Sequence, residues 1–231
     1  MKRATLFVLL TAATTIATPA FATTRPVQIV IDGSSSLAAK VNATDPSVNV
    51  NLEQDQTQGW SKPIAGPSTT ALMFEVTANS DFNAIGLYNV SNATERFEIL
   101  PPGADEGWFA VATFSGADIL NVSIFDENSL PVATKPPFTG VQINNFGYYI
   151  ENKGVGGGLG YTEDDKNGGT VRALVYRSEA SPGAWWVCFD DATTAGGEST
   201  SDYDDAILFI SALQPTPVTK TTWASVKQRF R

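Results

Sequence analysis

The sequence of 231 residues contains one cysteine and no histidine, and its formal net charge is −9. A single cysteine excludes an internal disulfide, so the fold depends on a core, for which the chain is long enough, or on a metal. The absence of histidine excludes Ser-His-Asp and Cys-His catalysis and imidazole metal sites, which leaves oxygen ligands and carboxylate chemistry. The acidic balance disfavours nucleic acid and anionic membranes as partners.

Residues 1–22 have the pattern of a secretory signal peptide, with a basic start at Lys2 and Arg3, an apolar stretch over 4–10 and Ala20-Phe21-Ala22 at the end. Cleavage after Ala22 leaves 13 Lys and Arg against 24 Asp and Glu, a net charge of −11. No segment is apolar over the length that a membrane-spanning helix needs. We therefore expect a secreted protein, extracellular or at the cell surface, with no transmembrane span in the mature chain.

Residues 23–70 are predicted to hold a strand, a short helix and a loop. "RPVQIVID" at 25–32 predicts the strand, and "SSSLAAKVNA" at 34–43 predicts a helix with a serine N-cap. Residues 45–70 are rich in Asn, Gln, Ser and Pro, which favours loop structure.

A D-x-S-x-S pattern stands between this strand and the helix, at Asp32, Ser34 and Ser36. It is similar to the metal-ion-dependent adhesion site of von Willebrand factor A domains. Such a domain needs alternating helices and parallel strands downstream, whereas this chain continues with strands and loops. We therefore prefer the interpretation as an N-capped helix.

Residues 71–213 contain nine short runs rich in β-branched and aromatic residues, separated by Gly, Pro, Asn, Ser and Asp. The last two, "WWVCFD" and "AILFISAL", are apolar on both faces, which is typical of central strands, and Cys188 within the first is expected to be a small buried hydrophobe. The pattern predicts an all-β fold, an antiparallel β-sandwich of jelly-roll type with one short N-terminal helix. The runs are 71–78, 84–90, 96–100, 108–114, 119–126, 145–151, 171–177, 185–190 and 206–213.

Residues 214–231 form a proline-containing linker followed by a basic tail with no acidic residue. The tail is interpreted either as a frayed terminus or as a docking or export tag. Its basic residues are Lys220, Lys227, Arg229 and Arg231.

Five aspartates flank the loop between the last two predicted strands. If these strands are antiparallel neighbours, the acids face each other about 5 Å apart across the loop mouth. No Lys or Arg occurs between Ser178 and Thr219, so the local sequence supplies no counter-ion. Either the acids are solvated, or a cation lies among them, and calcium suits an irregular set of oxygen ligands. The predicted metal ligands are Asp190, Asp191, Asp202, Asp204 and Asp205.

The spacing is not that of an EF-hand, because Thr193 and Ala195 stand where that loop requires Asp or Asn. A second acidic patch is interpreted as a solvated turn or, alternatively, as further ligands. It consists of Glu163, Asp164 and Asp165, followed by Asn167-Gly168-Gly169.

Four segments together resemble the secreted bacterial family known as domain of unknown function 4114: "FGYYIENK", "GYTEDDKNGGTVRALVY", "WWVCFDD" and "SDYDDAILFI". "AIGLYNVSNATERFEIL" is similar to a strand and loop found upstream in that family. The resemblance covers residues 71–213 and implies a β-rich extracellular domain with a calcium site and no established activity.

The resemblance places Phe189 at the family's aromatic position and Asp190 and Asp191 at its acidic pair. Asp202, Tyr203 and Asp205 match the closing signature. Three positions depart from the family pattern: Thr200 replaces an aspartate, Asp204 replaces an asparagine, and Arg172 replaces a histidine.

The expected function is a secreted, non-catalytic, calcium-binding domain, with an extracellular polysaccharide or a surface protein as its partner. A calcium-dependent carbohydrate-binding module and a secreted hydrolase that uses two carboxylates are the alternatives. A carbohydrate-binding module needs aromatic stacking surfaces. The candidates for this role are Trp60, Trp108, Tyr148, Tyr149, Trp185 and Trp186.

Overall fold

The computed structural model describes residues 31, 33, 35–51, 55, 57–62, 67–75, 80–116, 118–154, 156–191 and 202–216. Within these residues, one α-helix, α1 (Leu37–Thr44), precedes thirteen strands, and two short 3-10 helices, Ser80–Phe82 and Asp164–Asn167, lie between strands. The strands are β1 (Trp60–Ser61), β2 (Pro67–Phe74), β3 (Asn83–Asn89), β4 (Asn92–Leu100), β5 (Phe109–Ser115), β6 (Ile119–Phe125), β7 (Pro131–Thr134), β8 (Phe146–Asn152), β9 (Leu159–Tyr161), β10 (Ala173–Arg177), β11 (Trp185–Phe189), β12 (Ala206–Ile210) and β13 (Gln214–Pro215).

The strands form two antiparallel sheets. The first has the order β13-β1-β8-β3-β4, with β9 also paired to β8, and the second has the order β10-β11-β12-β2-β5-β6-β7. The predicted all-β antiparallel sandwich is therefore confirmed, while its jelly-roll type stays a prediction.

The main core lies between the two sheets. Leu87 of β3 and Tyr148 of β8 belong to the same buried cluster as Leu72 of β2 and Val187 of β11, although they come from different sheets. Along β6 buried and half-buried residues alternate, with the buried set at Leu120, Val122 and Ile124, as the sequence pattern predicts.

Strands β11 and β12 are buried on both faces, which explains why their sequences do not alternate. One face contributes to the main core, and the other packs beneath α1 in a second cluster. That cluster includes Leu37 and Val41 of the helix and Cys188 of β11. The thiol of Cys188 is fully buried, as expected, and burial raises its pKa well above the usual value.

The nine predicted runs each overlap one of the longer strands, and the predicted short helix is present. Strands β1, β7, β9 and β13 were not predicted, because two to four residues are too few to establish a period. Residues 45–70 are therefore not all loop, and the sandwich extends beyond 71–213 at both ends. The predicted strand at 25–32 and the basic tail fall mostly or wholly outside the described residues.

The N-cap of α1 differs from the prediction in detail. Ser36 occupies the N-cap position, but its hydroxyl makes no capping hydrogen bond. The hydroxyl oxygen of Ser35 instead accepts a hydrogen bond from the backbone N–H of Leu37 at 3.1 Å.

In the part of the chain that the structure describes, no helix combines the length and the apolar character needed to span a membrane.

Two tyrosine–glycine pairs hold β3 against β8. Gly86 is opposite Tyr149 and Tyr88 is opposite Gly147 in the antiparallel register. A Cβ atom at either glycine would overlap the ring of the facing tyrosine. Each glycine therefore provides the space in which a buried tyrosine ring crosses the neighbouring strand.

Replacing Gly147 by alanine should lower the free energy of unfolding by about 1–3 kcal/mol, because the new methyl group forces the Tyr88 ring out of its position. Urea denaturation of the mature protein measures the change. Gly33→Ala is the matched control, since a Cβ atom there meets nothing within 4 Å. Equal stability of the two variants would show that the sheet accommodates the methyl group.

Candidate metal centre

The candidate site lies at the end of three neighbouring strands. Ala173 of β10, Phe189 of β11 and Ala206 of β12 are aligned across the sheet. The residues just outside these strands, Arg172 and Asp190, are linked by a backbone hydrogen bond of 3.0 Å, and Asp205 immediately precedes β12. Antiparallel pairing therefore brings together residues that are up to 33 positions apart in the sequence.

Three of the predicted ligands come together at this end. One carboxylate oxygen each from Asp190, Asp191 and Asp205 lies within 4.8 Å of the others. The exposed fractions of these residues are 0%, 0% and 3%. The backbone N–H of Asp191 donates to Oδ2 of Asp205 at 2.8 Å, which fixes the two residues relative to each other. The alternative that the acids are solvated is thus excluded for these three.

One cation reaches the cluster from outside the loop. Nη1 of Arg172 lies 2.9 Å from Oδ1 of Asp190. The local sequence supplies no counter-ion, but the fold does, because β10 pairs with β11 and brings Arg172 alongside. This position, where the resembled family has histidine, supplies a positive charge here.

Two asparagines of the other sheet complete the surroundings. Asn83 and Asn152 are opposite each other on β3 and β8 and are both buried. Nδ2 of Asn152 donates to Oδ2 of Asp191 at 3.3 Å, and Nδ2 of Asn83 donates to Oε1 of Glu75 at 3.3 Å. The site is therefore a junction between the two sheets.

Glu75 is a member of this region that the sequence did not predict. It follows directly after Phe74, which is paired with Ile207 at the beginning of β12, so Glu75 lies at the same end of the sheet as Asp205. A signal was present in the sequence, since "FEV" places an acid in an apolar run, but nothing in it indicated which strand is the neighbour.

Asp202 and Asp204 face a different partner, the N-terminus of α1. Oδ2 of Asp204 accepts a hydrogen bond from the backbone N–H of Ser36 at 2.6 Å, and the carbonyl oxygen of Asp202 accepts one from the Ser35 hydroxyl at 2.7 Å. Tyr203 between them has a left-handed backbone with φ of 56°. A carboxylate at a helix N-terminus stabilises its unpaired N–H groups, so Asp204 caps α1 from a distance.

Of the D-x-S-x-S pattern, Ser36 lies next to Asp204, whereas Asp32 and Ser34 fall outside the described residues. What the structure shows of it is the capped helix start at Ser35 and Ser36, and the downstream chain is all antiparallel. This agrees with the preferred interpretation of the pattern.

The second acidic patch is only partly a solvated turn. Asp165 is exposed, but Asp164 is buried, and Oε2 of Glu163 accepts a hydrogen bond from the Tyr88 hydroxyl at 3.0 Å. Burial is the main cause that raises the pKa of Glu163 above its usual value. The patch belongs to the outer face of the first sheet and is not part of the three-aspartate group.

Burial and neighbouring negative charges raise the pKa values of three acids at this end of the sandwich. Burial, followed by the charge of Asp191, raises the pKa of Asp205 to about 8. Burial also raises the pKa of Glu75 to about 8, with Asp191, Glu106 and Asp105 adding to the effect against the hydrogen bond from Asn83. Burial and the charge of Asp204 raise the pKa of Asp202 to about 6. At pH 7 Glu75 and Asp205 therefore hold protons unless a cation replaces them, whereas Asp202 is mostly ionised.

Comparisons with family models, with curated proteins and with solved structures found no match. The resemblance to the domain of unknown function 4114 family therefore stays a prediction.

The chemistry open to this site follows from its donor set. Carboxylate oxygens of three buried aspartates, near two amide side chains, are hard oxygen ligands of the kind that calcium and magnesium bind. Calcium accepts irregular geometry with six to eight ligands, which suits a site formed at unequal strand ends.

The metal-free protein should lose stability as the pH rises, because Asp205 binds a proton more tightly when folded. Its pKa is about 8 in the folded chain and about 3.9 when unfolded, so its ionisation opposes folding increasingly between pH 4 and pH 8. Asp205→Asn removes this dependence. Urea unfolding in metal-free buffer should show the variant gaining on the order of 1–3 kcal/mol relative to wild type between pH 5 and pH 8.

Asp118→Asn, at an exposed position, is the control and should follow the wild-type dependence. A constant difference between Asp205→Asn and wild type at both pH values would contradict the raised pKa.

Proposed function

We propose that this protein is a secreted, non-catalytic, calcium-binding β-sandwich domain that acts at the cell surface or in an extracellular matrix. The observation that carries the proposal is the buried group of Asp190, Asp191 and Asp205, whose oxygens are close enough to share one ion. The predicted leader supports secretion. An extracellular polysaccharide or a surface protein is the proposed partner.

Charge and burial favour a cation over protons as the resident of the site. At 4 Å two like charges repel each other by about 4 kcal/mol at an effective dielectric of 20, and three buried aspartates contain three such pairs. Arg172 offsets one of the three charges. A divalent ion balances the other two charges, whereas protonation neutralises the acids without placing an ion between them.

The same burial separates this proposal from the two alternatives. A hydrolase must bring its substrate to the acids, but the three aspartates are at most 3% exposed, which suits an ion and not a polysaccharide. Five of the six aromatic candidates for sugar stacking are at most 3% exposed, and Trp108 packs against the core. The five are Trp60, Tyr148, Tyr149, Trp185 and Trp186.

Calcium should raise the melting temperature of the mature protein. At a free concentration one hundred times the dissociation constant, the added stability is about 2.7 kcal/mol, which corresponds to roughly 5–10 °C for a domain of this size. Differential scanning calorimetry with excess calcium and with excess chelator at pH 7.5 measures the shift. Asp191→Asn should lose most of it, because the variant removes one ligand charge.

The exposed variant Asp118→Asn serves as the control and should keep the full calcium shift. An identical melting temperature with calcium and with chelator would refute calcium binding at this site.

The full chain, expressed in a bacterium with a general secretion system, should be exported and should begin at Thr23. Intact-mass spectrometry of the exported protein identifies the cleavage point. Ala22→Leu should accumulate precursor, because the cleavage site requires a small residue. An unprocessed wild-type chain of 231 residues in the cytoplasm would contradict export.

A further inference from the structure

A second set of oxygen ligands lies beside the three aspartates, where β2 ends. Glu75 is near enough to Asp191 for the two charges to act on each other. Its carboxylate is nevertheless not among the oxygens that lie within 4.8 Å of one another. Calcium binds oxygen at about 2.3–2.6 Å, so two ligands of one ion are at most about 5 Å apart. Glu75 is therefore placed beside the three-aspartate site and not within it.

Asn83 presents a buried oxygen next to Glu75. The residue is 3% exposed, and its amide nitrogen lies 3.3 Å from Oε1 of Glu75. Oδ1 of the same amide group is buried and has no hydrogen-bond partner among the described residues. Buried polar atoms are almost always satisfied, so this unpaired amide oxygen indicates a missing partner that is positive or donates a proton. Amide oxygens are ordinary ligands of calcium.

A cleft that opens to solvent is lined in part by Glu75. Its volume is about 210 Å³, and four acids line it: Glu75, Asp81, Asp105 and Glu106. Lys40 approaches Glu106 at 3.5 Å in an exposed pair, which leaves the cleft strongly negative. The volume leaves room for an ion together with the water molecules that complete its coordination.

We propose that Glu75 and Asn83 bind a second calcium ion at the inner end of this cleft, Glu75 through its carboxylate and Asn83 through Oδ1. The acids of the cleft attract the ion, and water fills its remaining positions. This inference extends the proposed function and rests on it, since both ions occupy the same end of the sandwich. The protein then binds two calcium ions, one enclosed by aspartates and one that is open to solvent.

Calcium stoichiometry tests the proposal. Equilibrium dialysis of the mature protein against calcium chloride at pH 7.5 should give two bound ions per chain. Glu75→Gln and Asn83→Leu should each lower the affinity for one ion at least about tenfold and leave the other ion bound. The first variant removes a charge, and the second removes an oxygen ligand. Asn83→Asp keeps the oxygen and adds charge, so it should retain both ions. Glu179→Gln, at an exposed position, is the control.

The outcomes distinguish the two proposals. No bound calcium in the wild type would overturn both of them. One ion that is lost in Asp205→Asn and kept in Glu75→Gln would overturn the second site alone. A single wild-type ion lost in both variants would also overturn the second site, because Glu75 would then belong to the first. Circular dichroism at pH 5 shows whether each variant is folded, and Asn83→Asp separates a ligand role from a packing role.

Discussion

The in-register ends of β10, β11 and β12 are the constraint on which the candidate site depends. Backbone pairing of Ala173, Phe189 and Ala206 fixes where the next residue of each strand must lie. Both faces of β11 and β12 are covered, and the side chains of Asp190, Asp191 and Asp205 just beyond these strands are buried as well. Strand pairing thus holds like charges close together, and these carboxylates must bind protons or a cation to offset their repulsion.

The site also joins parts of the molecule that the sheets alone do not connect. Asn152 links the first sheet to Asp191, and Asp204 links the loop before β12 to the start of α1. A cation held by the three aspartates therefore acts on both sheets directly and on the helix through the segment 202–205. Its stabilising effect is expected to be global, which is why thermal unfolding is a suitable measurement.

The sequence was sufficient for the long strands and for part of the site. Runs of β-branched and aromatic residues identified nine strands, and the adjacency of β11 and β12 followed from the short loop between them. Arg172 and Glu75 were missed because their closeness to Asp190 and Asp205 depends on strand order, which no local pattern contains. Asp204 was predicted as a ligand from its charge, whereas its hydrogen bond to Ser36 depends on where α1 packs.

Charge balance is the reason for which an ion of valence two is proposed at this site. When all three aspartates are ionised, they and the paired arginine leave two negative charges on buried carboxylates. A single divalent cation would neutralise them, whereas a monovalent ion would leave one charge buried. In the metal-free chain, burial and the neighbouring negative charge raise the pKa of Asp205. On the proposed function, protons and calcium compete for one set of oxygens, and the affinity for calcium is expected to fall as the pH is lowered through the range in which Asp205 takes up its proton.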